Sequence, residues 1–284
     1  MPQNSIVSTE KICTHINSQS ILKNVSISLG RGRVVGLVGP NGAGKTTVMK
    51  SILGLISVDS GSIFVEGQQV TPQHHSIIKQ KVGALIEGPA IYPFLTGFEH
   101  LKMMTNDIGQ IISFSDQLGL TKYLPKKVKG YSLGTKQKLG IVLALINDPD
   151  LVILDEPMNG LDPQSTRQLR NLIQKLSKNG TTFFISSHIL SELEKIIDDV
   201  IVLDSGKVTL STSLEKLYQE STRKLVIETS AGSVEINNED FSQLNNELIR
   251  LIKQRVKINN IRYRPSDLED SLLKYLDDHN QEEN

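Results

Sequence analysis

Gly39-Pro-Asn-Gly-Ala-Gly-Lys-Thr46 is the stretch that decides the fold of this 284-residue chain. It matches the pattern GxxxxGK[ST] and follows the apolar run 34–38, which predicts a strand that leads through a loop into a helix. Glycines let successive backbone N–H groups turn inward around phosphate oxygens, and the helix that follows adds its N-terminal dipole. A glycine-rich turn with an incidental lysine is the alternative, and the preceding strand argues against it.

Two side chains at the end of this predicted phosphate loop are expected to contact the nucleotide and its metal ion. Lys45 is expected to reach the β- and γ-phosphates of a nucleotide, and the hydroxyl of Thr46 is expected to ligate Mg²⁺. The predicted nucleotide-binding residues are Gly39, Pro40, Asn41, Gly42, Ala43, Gly44, Lys45, Thr46 and Thr47.

A pair of acids ends a second apolar run, Leu151-Val-Ile-Leu-Asp-Glu156. Two adjacent carboxylates after a buried strand are costly unless a cation or hydrogen-bond donors neutralise them. We therefore expect Asp155 to hold Mg²⁺, directly or through water, and Glu156 to polarise an attacking water. The alternative is a strand that simply ends in polar residues, and the presence of the phosphate-loop motif in the same chain argues against it.

Composition excludes several classes of protein. The chain carries 31 basic and 31 acidic residues, and 38% of its residues are hydrophobic. Its apolar residues recur in blocks along the sequence, which argues against a disordered chain. Its longest wholly apolar run, 141–146, is far short of the roughly 20 residues that a membrane span needs. Net neutrality gives no general reason to bind nucleic acid. A single cysteine, Cys13, forbids an internal disulfide, and the first residues do not resemble a signal peptide, so a reducing, cytoplasmic setting is expected.

The distribution of charge predicts a boundary near 210–220. Residues 1–210 have 21 basic and 17 acidic side chains, whereas residues 211–284 have 10 and 14. In the first part, short apolar strands alternate with helix-like segments, which predicts an α/β fold with a parallel sheet. The remaining predicted elements are helices at 165–178 and 189–197, strands at 224–228 and 233–236, and helices at 241–252 and 266–276, the last with Ser266 and Glu269 as a capping box.

With Tyr131-Ser-Leu-Gly-Thr-Lys-Gln137 between the two motifs, residues 5–210 resemble an ATP-binding cassette (ABC) ATPase, a P-loop fold. The resemblance implies a helical subdomain at about 88–147, whose signature motif meets ATP held by a second subunit. It implies that Ser132 and Gly134 contact the γ-phosphate there, although Leu133 and Thr135 depart from the usual LSGGQ. The same segment is compatible with an ordinary helix start capped by Ser132.

Further motifs follow in the order expected of the family. Asn159-Gly-Leu-Asp162 resembles the D-loop, and His188 resembles the switch histidine that senses the γ-phosphate and helps to orient water near Glu156. Glu87 stands where most cassettes carry glutamine, which resembles the E-loop of lantibiotic-immunity and bacitracin-resistance exporters. The phrase Ile91-Tyr-Pro-Phe-Leu-Thr-Gly-Phe-Glu99 is similar to the same subgroup. This resemblance implies that Glu87 ligates Mg²⁺; a solvent-facing loop acid is the alternative.

The family usually stacks adenine on an aromatic side chain near the first strand. Alignment places Ile16 there, next to His15, and no Tyr, Phe or Trp lies nearby. We therefore expect weak stacking, or a smaller π-face from His15, and modest selectivity between bases.

These features predict an ATP- and Mg²⁺-dependent ATPase, peripheral at the cytoplasmic face of the membrane, in an exporter of an antimicrobial peptide. The expected partners are transmembrane permease subunits and a second ATP-binding subunit, in a homodimer, with no nucleic acid. A helix at 88–110 is expected to help form the permease-docking groove, unless its apolar residues only pack the core. The alternatives are an exporter of another drug, ion or peptide, or a cassette protein that acts on ribosomes or DNA. Region 211–284 is a regulatory or dimer-stabilising domain, or an inert extension.

Overall fold

Short strands and connecting helices alternate along most of the chain. A computed structural model describes residues 5–71, 76–220, 224–237, 241–264 and 268–272. The strands are β1 (Ser5–Ile16), β2 (Gln19–Val25), β3 (Ser28–Gly30), β4 (Val34–Val38), β5 (Ser60–Val65), β6 (Gln68–Gln69), β7 (Val82–Leu85), β8 (Leu151–Asp155), β9 (Thr182–Ser186), β10 (Asp199–Asp204), β11 (Lys207–Ser213), β12 (Lys224–Thr229), β13 (Gly232–Asn237) and β14 (Ile258–Arg264). The α-helices are α1 (Lys45–Ile52), α2 (Ser76–Lys81), α3 (Gly97–Met104), α4 (Ile108–Gln117), α5 (Leu133–Leu145), α6 (Pro163–Lys178), α7 (Leu190–Leu193), α8 (Leu214–Glu220) and α9 (Phe241–Lys253).

The main sheet has the strand order β11-β10-β4-β9-β8-β7. Its strands from β10 to β7 run parallel to their neighbours. Strands β4, β8 and β9 are buried at every residue, as expected for wholly apolar runs covered by helices on both faces. The predicted α/β fold is confirmed, and the carboxyl ends of these strands meet at one edge of the sheet.

A second, antiparallel sheet has the order β2-β1-β5-β6, with β3 also paired to β1. One apolar core joins this sheet to the main sheet through α1, whose Val48, Met49 and Ile52 are buried between them. Polar residues interrupt the apolar pattern of β1 and β2, so periodicity in the sequence did not predict this sheet.

Helices α3, α4 and α5 occupy the stretch in which the helical subdomain is expected. The predicted continuous helix at 88–110 is wrong, because two helices separated by Thr105–Asp107 take its place. Thr96 and Glu99 form a capping box that starts α3, and the Asp107 side chain caps α4. The predicted helix at 189–197 is also shorter in the structure, where α7 covers Leu190–Leu193.

The chain divides into two compact units, 1–212 and 213–284. In the second unit, an antiparallel sheet in the order β13-β12-β14 packs against α9 through Ile227, Ile236 and Leu251. Residues 268–272 are helical, whereas the proposed cap Ser266 lies outside the described residues. Within the part of the chain that the structure describes, no helix has both the length and the hydrophobicity to cross a bilayer.

Candidate nucleotide-binding site

The phosphate loop connects β4 to α1 at the carboxyl edge of the main sheet. A side chain at Gly39 is impossible without movement, because its Cβ would lie 2.0 Å from the carbonyl oxygen of Leu203. Gly42 and Gly44 have φ angles of 82° and 103°, which glycine adopts without strain. The backbone therefore curls as the motif predicts, and α1 begins at Lys45 with its N–H groups facing the loop.

Lys45 and Thr46 point into the curve of this loop. The Lys45 Nζ donates to the carbonyl oxygens of Gly39 and Pro40, at 2.6 and 3.0 Å, and so lies across the mouth of the loop. The Thr46 Oγ1 donates to Asp155 Oδ2 at 2.8 Å. A hydroxyl and a carboxylate in contact beside an anion-binding loop are the oxygen ligands that Mg²⁺ prefers, so these residues fit a nucleotide–magnesium complex.

Ser186 links Asp155, the last residue of β8, to Glu156, which follows the strand, a role that sequence reasoning missed. Its Oγ donates to Asp155 Oδ1 at 2.5 Å and accepts from the backbone N–H of Glu156 at 2.9 Å. Strands β8 and β9 pair with Asp155 opposite Ser186, which brings the hydroxyl between the acids. The signal in the sequence is a serine that ends one buried strand next to another strand ending in aspartate.

Glu156 and His188 meet beyond the ends of β8 and β9. The His188 Nδ1 lies 2.7 Å from Glu156 Oε2, and the His188 backbone N–H is 3.4 Å from the same oxygen. Glu156 has a φ angle of 50°, a left-handed conformation that is uncommon for a residue with a side chain. Such strain is often found at active sites, where the surrounding contacts hold a catalytic group in place.

One cleft gathers most of the predicted residues. It is lined by Ile21, Asn41, Gly42, Gly44, Lys45, Thr46, Thr47, Asp155 and Glu156. Glu87 is not part of this lining: its carboxylate lies 2.7 Å from Lys50 Nζ, and 62% of its side chain is exposed. The structure therefore brings the phosphate loop, Asp155, Glu156 and His188 together, and it places Glu87 in a separate ion pair.

Ser132 and Gly134 also lie away from this cleft, at the start of α5. The Ser132 Oγ accepts from the Thr135 backbone N–H at 3.2 Å and caps the helix. A Cβ on Gly134 would lie 2.5 Å from the carbonyl oxygen of Gly160, in the turn that precedes α6. Within one chain, this segment thus packs on the D-loop-like turn and does not contact the chain's own phosphate loop.

The D-loop-like segment ends at a well-formed helix cap. Asp162 accepts hydrogen bonds from the backbone N–H and the hydroxyl of Ser165, at 2.9 and 2.8 Å. These hydrogen bonds lower the pKa of the Asp162 carboxyl group below its usual value. The start of α6 is therefore stabilised by an ionised carboxylate.

Ile16 and His15 stand in the region expected to hold the base. Ile16 ends β1 and is 39% exposed. The His15 Nδ1 lies 2.9 Å from the Asp59 carboxylate, whose pKa is lowered chiefly by the hydrogen bond from the His15 side chain. Among the residues that line the cleft, Ile21 is the large apolar side chain. The geometry supports van der Waals contact between Ile21 and a base, and the smaller π-face of His15 stays a prediction.

The parallel sheet, the curled loop and the paired carboxylates define a P-loop nucleoside triphosphatase. Comparison with known proteins narrows this class. A family model described as ABC transporter matches residues 22–159. An uncharacterized ABC transporter ATP-binding protein of Bacillus subtilis, YdbJ, is 34% identical over 98% of this chain and 97% of its own. The chain belongs to the ATP-binding proteins of the ABC transporter family, as the motifs predict, and is an ATPase.

Relatives with named transport roles lie in the predicted subgroup. The lantibiotic transport ATP-binding protein SrtF of Streptococcus pyogenes is 41% identical over 70% of this chain and 90% of its own length. The bacitracin transport ATP-binding protein BcrA of Enterococcus faecalis is 35% identical over 81% of this chain and 76% of its own. A solved ATP-binding subunit of an ABC transporter superposes with a TM-score of 0.71 at 27% identity, covering 76% of this chain and 93% of that one. The predicted similarity to this subgroup is confirmed.

Proposed function

We propose that this chain is the ATP-hydrolysing subunit of an exporter that expels an antimicrobial peptide and so confers immunity or resistance. The similarity to the lantibiotic and bacitracin transport proteins supports the class of cargo. The contact of Glu156 with His188, beside the Thr46–Asp155 pair, is the observation that carries the hydrolytic part. Residues 5–210 form the ATP-binding domain in this proposal, and residues 211–284 form an accessory region.

The proposed roles follow from the contacts in the cleft. Thr46 and Asp155 would hold Mg²⁺, with Glu87 as a further ligand, and the metal would supply positive charge beside the phosphates. Lys45 and the loop N–H groups bind the phosphate oxygens. Glu156 orients the attacking water, while the nearby His188 fixes the direction of that carboxylate.

A second copy of the chain completes the site in this proposal. Ser132 and Gly134 are exposed or half-buried at the start of α5 and do not line the cleft of their own chain. They are the residues that a partner copy would present to the γ-phosphate. Closure of such a dimer around two ATP molecules is driven by a higher affinity of ATP for the closed state.

A groove on the first unit provides the proposed surface for the permease. Its lining combines residues 82–86 and 88–90 with further apolar residues, among them Leu55 after α1, Met104 of α3 and Leu143 of α5. Leu55 and Met104 are 66% and 49% exposed, so the groove presents apolar surface that a partner can cover. Binding of the permease would cover them and hold this subunit at the cytoplasmic face of the membrane.

The experiment identifies the membrane partner and the cargo together. Affinity-purified chain is analysed for co-purifying membrane subunits, and cells that lack the gene are challenged with a panel of lantibiotics, bacitracin and unrelated drugs. Cells that carry the wild-type gene should survive the peptides better than deleted cells, and the Glu156→Gln variant should not restore survival. Equal survival of deleted and wild-type cells across the peptides would refute the immunity role. Recovery with nucleic acid and without a membrane protein would favour a ribosome- or DNA-acting cassette.

A further inference from the structure

The proposed metal ligand Glu87 is bound by a lysine in this structure. Its Oε1 lies 2.7 Å from the Nζ of Lys50, in the last turn of α1. The backbone of Glu87 is left-handed, with a φ angle of 56°, and Gly88 follows with a φ angle of 101°. An L-residue avoids this conformation unless a contact holds it there, and the ion pair with Lys50 is such a contact.

The lysine and the metal site lie on the same helix. Thr46 and Lys50 are four residues apart on α1, so they share one face and are separated by one turn, about 6 Å along the axis. Strand β7 pairs with β8 so that Leu85 lies opposite Leu154, and the loop after β7 therefore leaves the sheet beside Asp155. Glu87 is thus in contact with the Lys50 ammonium, and its loop leaves the sheet next to the strand that ends in Asp155.

We propose that Lys50 is a positioning residue that holds Glu87 away from Mg²⁺, so that the ammonium group and the metal compete for one carboxylate. The inference rests on the proposed function, in which Glu87 is a metal ligand. Attraction to the Lys50 ammonium opposes transfer of the carboxylate to the metal, and movement of Glu87 from Lys50 to the metal lets the strained loop change conformation. The ion pair therefore sets the concentration of Mg²⁺ at which the loop after β7 engages the nucleotide site.

The test measures binding, not turnover. In the Glu156→Gln background, binding of a fluorescent ATP analogue is titrated with Mg²⁺, and the half-saturating Mg²⁺ concentration is compared between variants. Lys50→Met should lower this concentration about two- to fivefold, the range that exposed ion pairs allow. Glu87→Gln should raise it, and Lys50→Met should have no further effect in that variant. Lys50→Arg should behave as wild type because it keeps the charge.

Controls separate this role from a general change in structure or charge. Lys81 forms a comparable exposed ion pair with Asp150, at 2.8 Å, so Lys81→Met should leave the Mg²⁺ dependence unchanged. Affinity for the analogue in EDTA should be the same in every variant, because the phosphate loop uses neither Lys50 nor Glu87. Lys50→Gln keeps a polar side chain and repeats the test if methionine disturbs α1.

The outcomes that overturn the inference are distinct. If the half-saturating Mg²⁺ concentration changed in Glu87→Gln but not in Lys50→Met or Lys50→Gln, the proposed role of Lys50 would be refuted. The proposed role of Glu87 as a metal ligand would stand. An unchanged Mg²⁺ dependence in Glu87→Gln would overturn both this inference and the proposed ligation by Glu87. If Lys50→Met lowered the half-saturating Mg²⁺ concentration by the same factor with Glu87 present and with Glu87→Gln, the lysine would act only by repelling the metal. That result would contradict competition for the Glu87 carboxylate.

Discussion

Replacing Ser186 by alanine should damage stability and hydrolysis together. The buried hydroxyl makes one hydrogen bond to the Asp155 carboxylate and one to the Glu156 N–H. A hydrogen bond to a charged group is worth about 1.5–3 kcal/mol and a neutral one about 0.5–1.5 kcal/mol, so Ser186→Ala should cost about 2–4 kcal/mol. For a unit of this size, that loss lowers the midpoint of thermal unfolding by roughly 5–15 °C.

The same variant should hydrolyse ATP slowly. Without Ser186, the left-handed backbone of Glu156 loses a contact that fixes its position, and kcat should fall about 10- to 100-fold. The phosphate loop makes no contact with Ser186, so nucleotide affinity in EDTA should stay within a factor of about two. The measurements are calorimetric unfolding, a steady-state phosphate-release assay and titration with a fluorescent nucleotide.

Ser187→Ala is a matched control for this variant. Ser187 is equally buried, but its Oγ exchanges hydrogen bonds only with the backbone of Ile189, at 3.0 and 3.4 Å. By the same values, its loss should cost about 1–3 kcal/mol, and it should leave kcat within a factor of about three. If Ser186→Ala unfolded at the same temperature as Ser187→Ala and retained the wild-type kcat, the assignment of Ser186 as the link between the acids would be refuted.

Four further predictions follow from the site. Lys45→Ala should weaken ATP binding at least tenfold in a fluorescence titration, because it removes the ammonium group at the mouth of the loop; unchanged affinity would contradict that role. Glu156→Gln should keep nucleotide affinity, lower kcat about 10²- to 10⁴-fold and leave the dimer closed in size-exclusion chromatography with ATP; a normal rate would show that Glu156 is misassigned. GTP should be hydrolysed within about tenfold of the ATP rate at equal subsaturating concentration, because Ile16 and Ile21 offer no aromatic surface. The pKa of the Asp162 carboxyl is lowered in the folded protein, so the ionised carboxylate stabilises the fold fully above the usual aspartate pKa, and this stabilisation is lost as the pH falls through the lowered value. Asp162→Asn should therefore make stability less dependent on acid pH, which unfolding measured at a series of pH values would show.

The sequence predicts the candidate nucleotide-binding cleft well where contacts are local or follow the sheet. The loop that ends at Thr46 and the acids that follow β8 are continuous motifs, so their chemistry is visible in a few consecutive residues. Parallel strands then align their carboxyl ends, which explains why Thr46 and Asp155 meet although they are 109 residues apart. The contact of His188 with Glu156 follows from the same alignment of β8 and β9.

Contacts that depend on register or on competing partners could not be read from the sequence. Ser186 acts because β9 pairs with β8 at one particular register, and a shift of one residue would turn its side chain to the other face of the sheet. The partner of Glu87, which lies in the loop after β7, is a lysine on α1, and no local pattern indicates this contact. The helix expected at 88–110 breaks because Asp107 caps a new helix, and a short polar segment of this kind is easily overlooked in an apolar pattern.

The left-handed backbone of Glu156 has a consequence for laboratory evolution. Glycine or asparagine would occupy that conformation at lower cost, by about 1 kcal/mol, and the partly exposed contact with His188 offsets little of this gain. Selection for heat resistance alone should therefore enrich these residues at position 156 and abolish turnover. Libraries that aim at a more stable subunit should therefore keep Glu156 unchanged, since thermal selection acts against the proposed catalytic carboxylate.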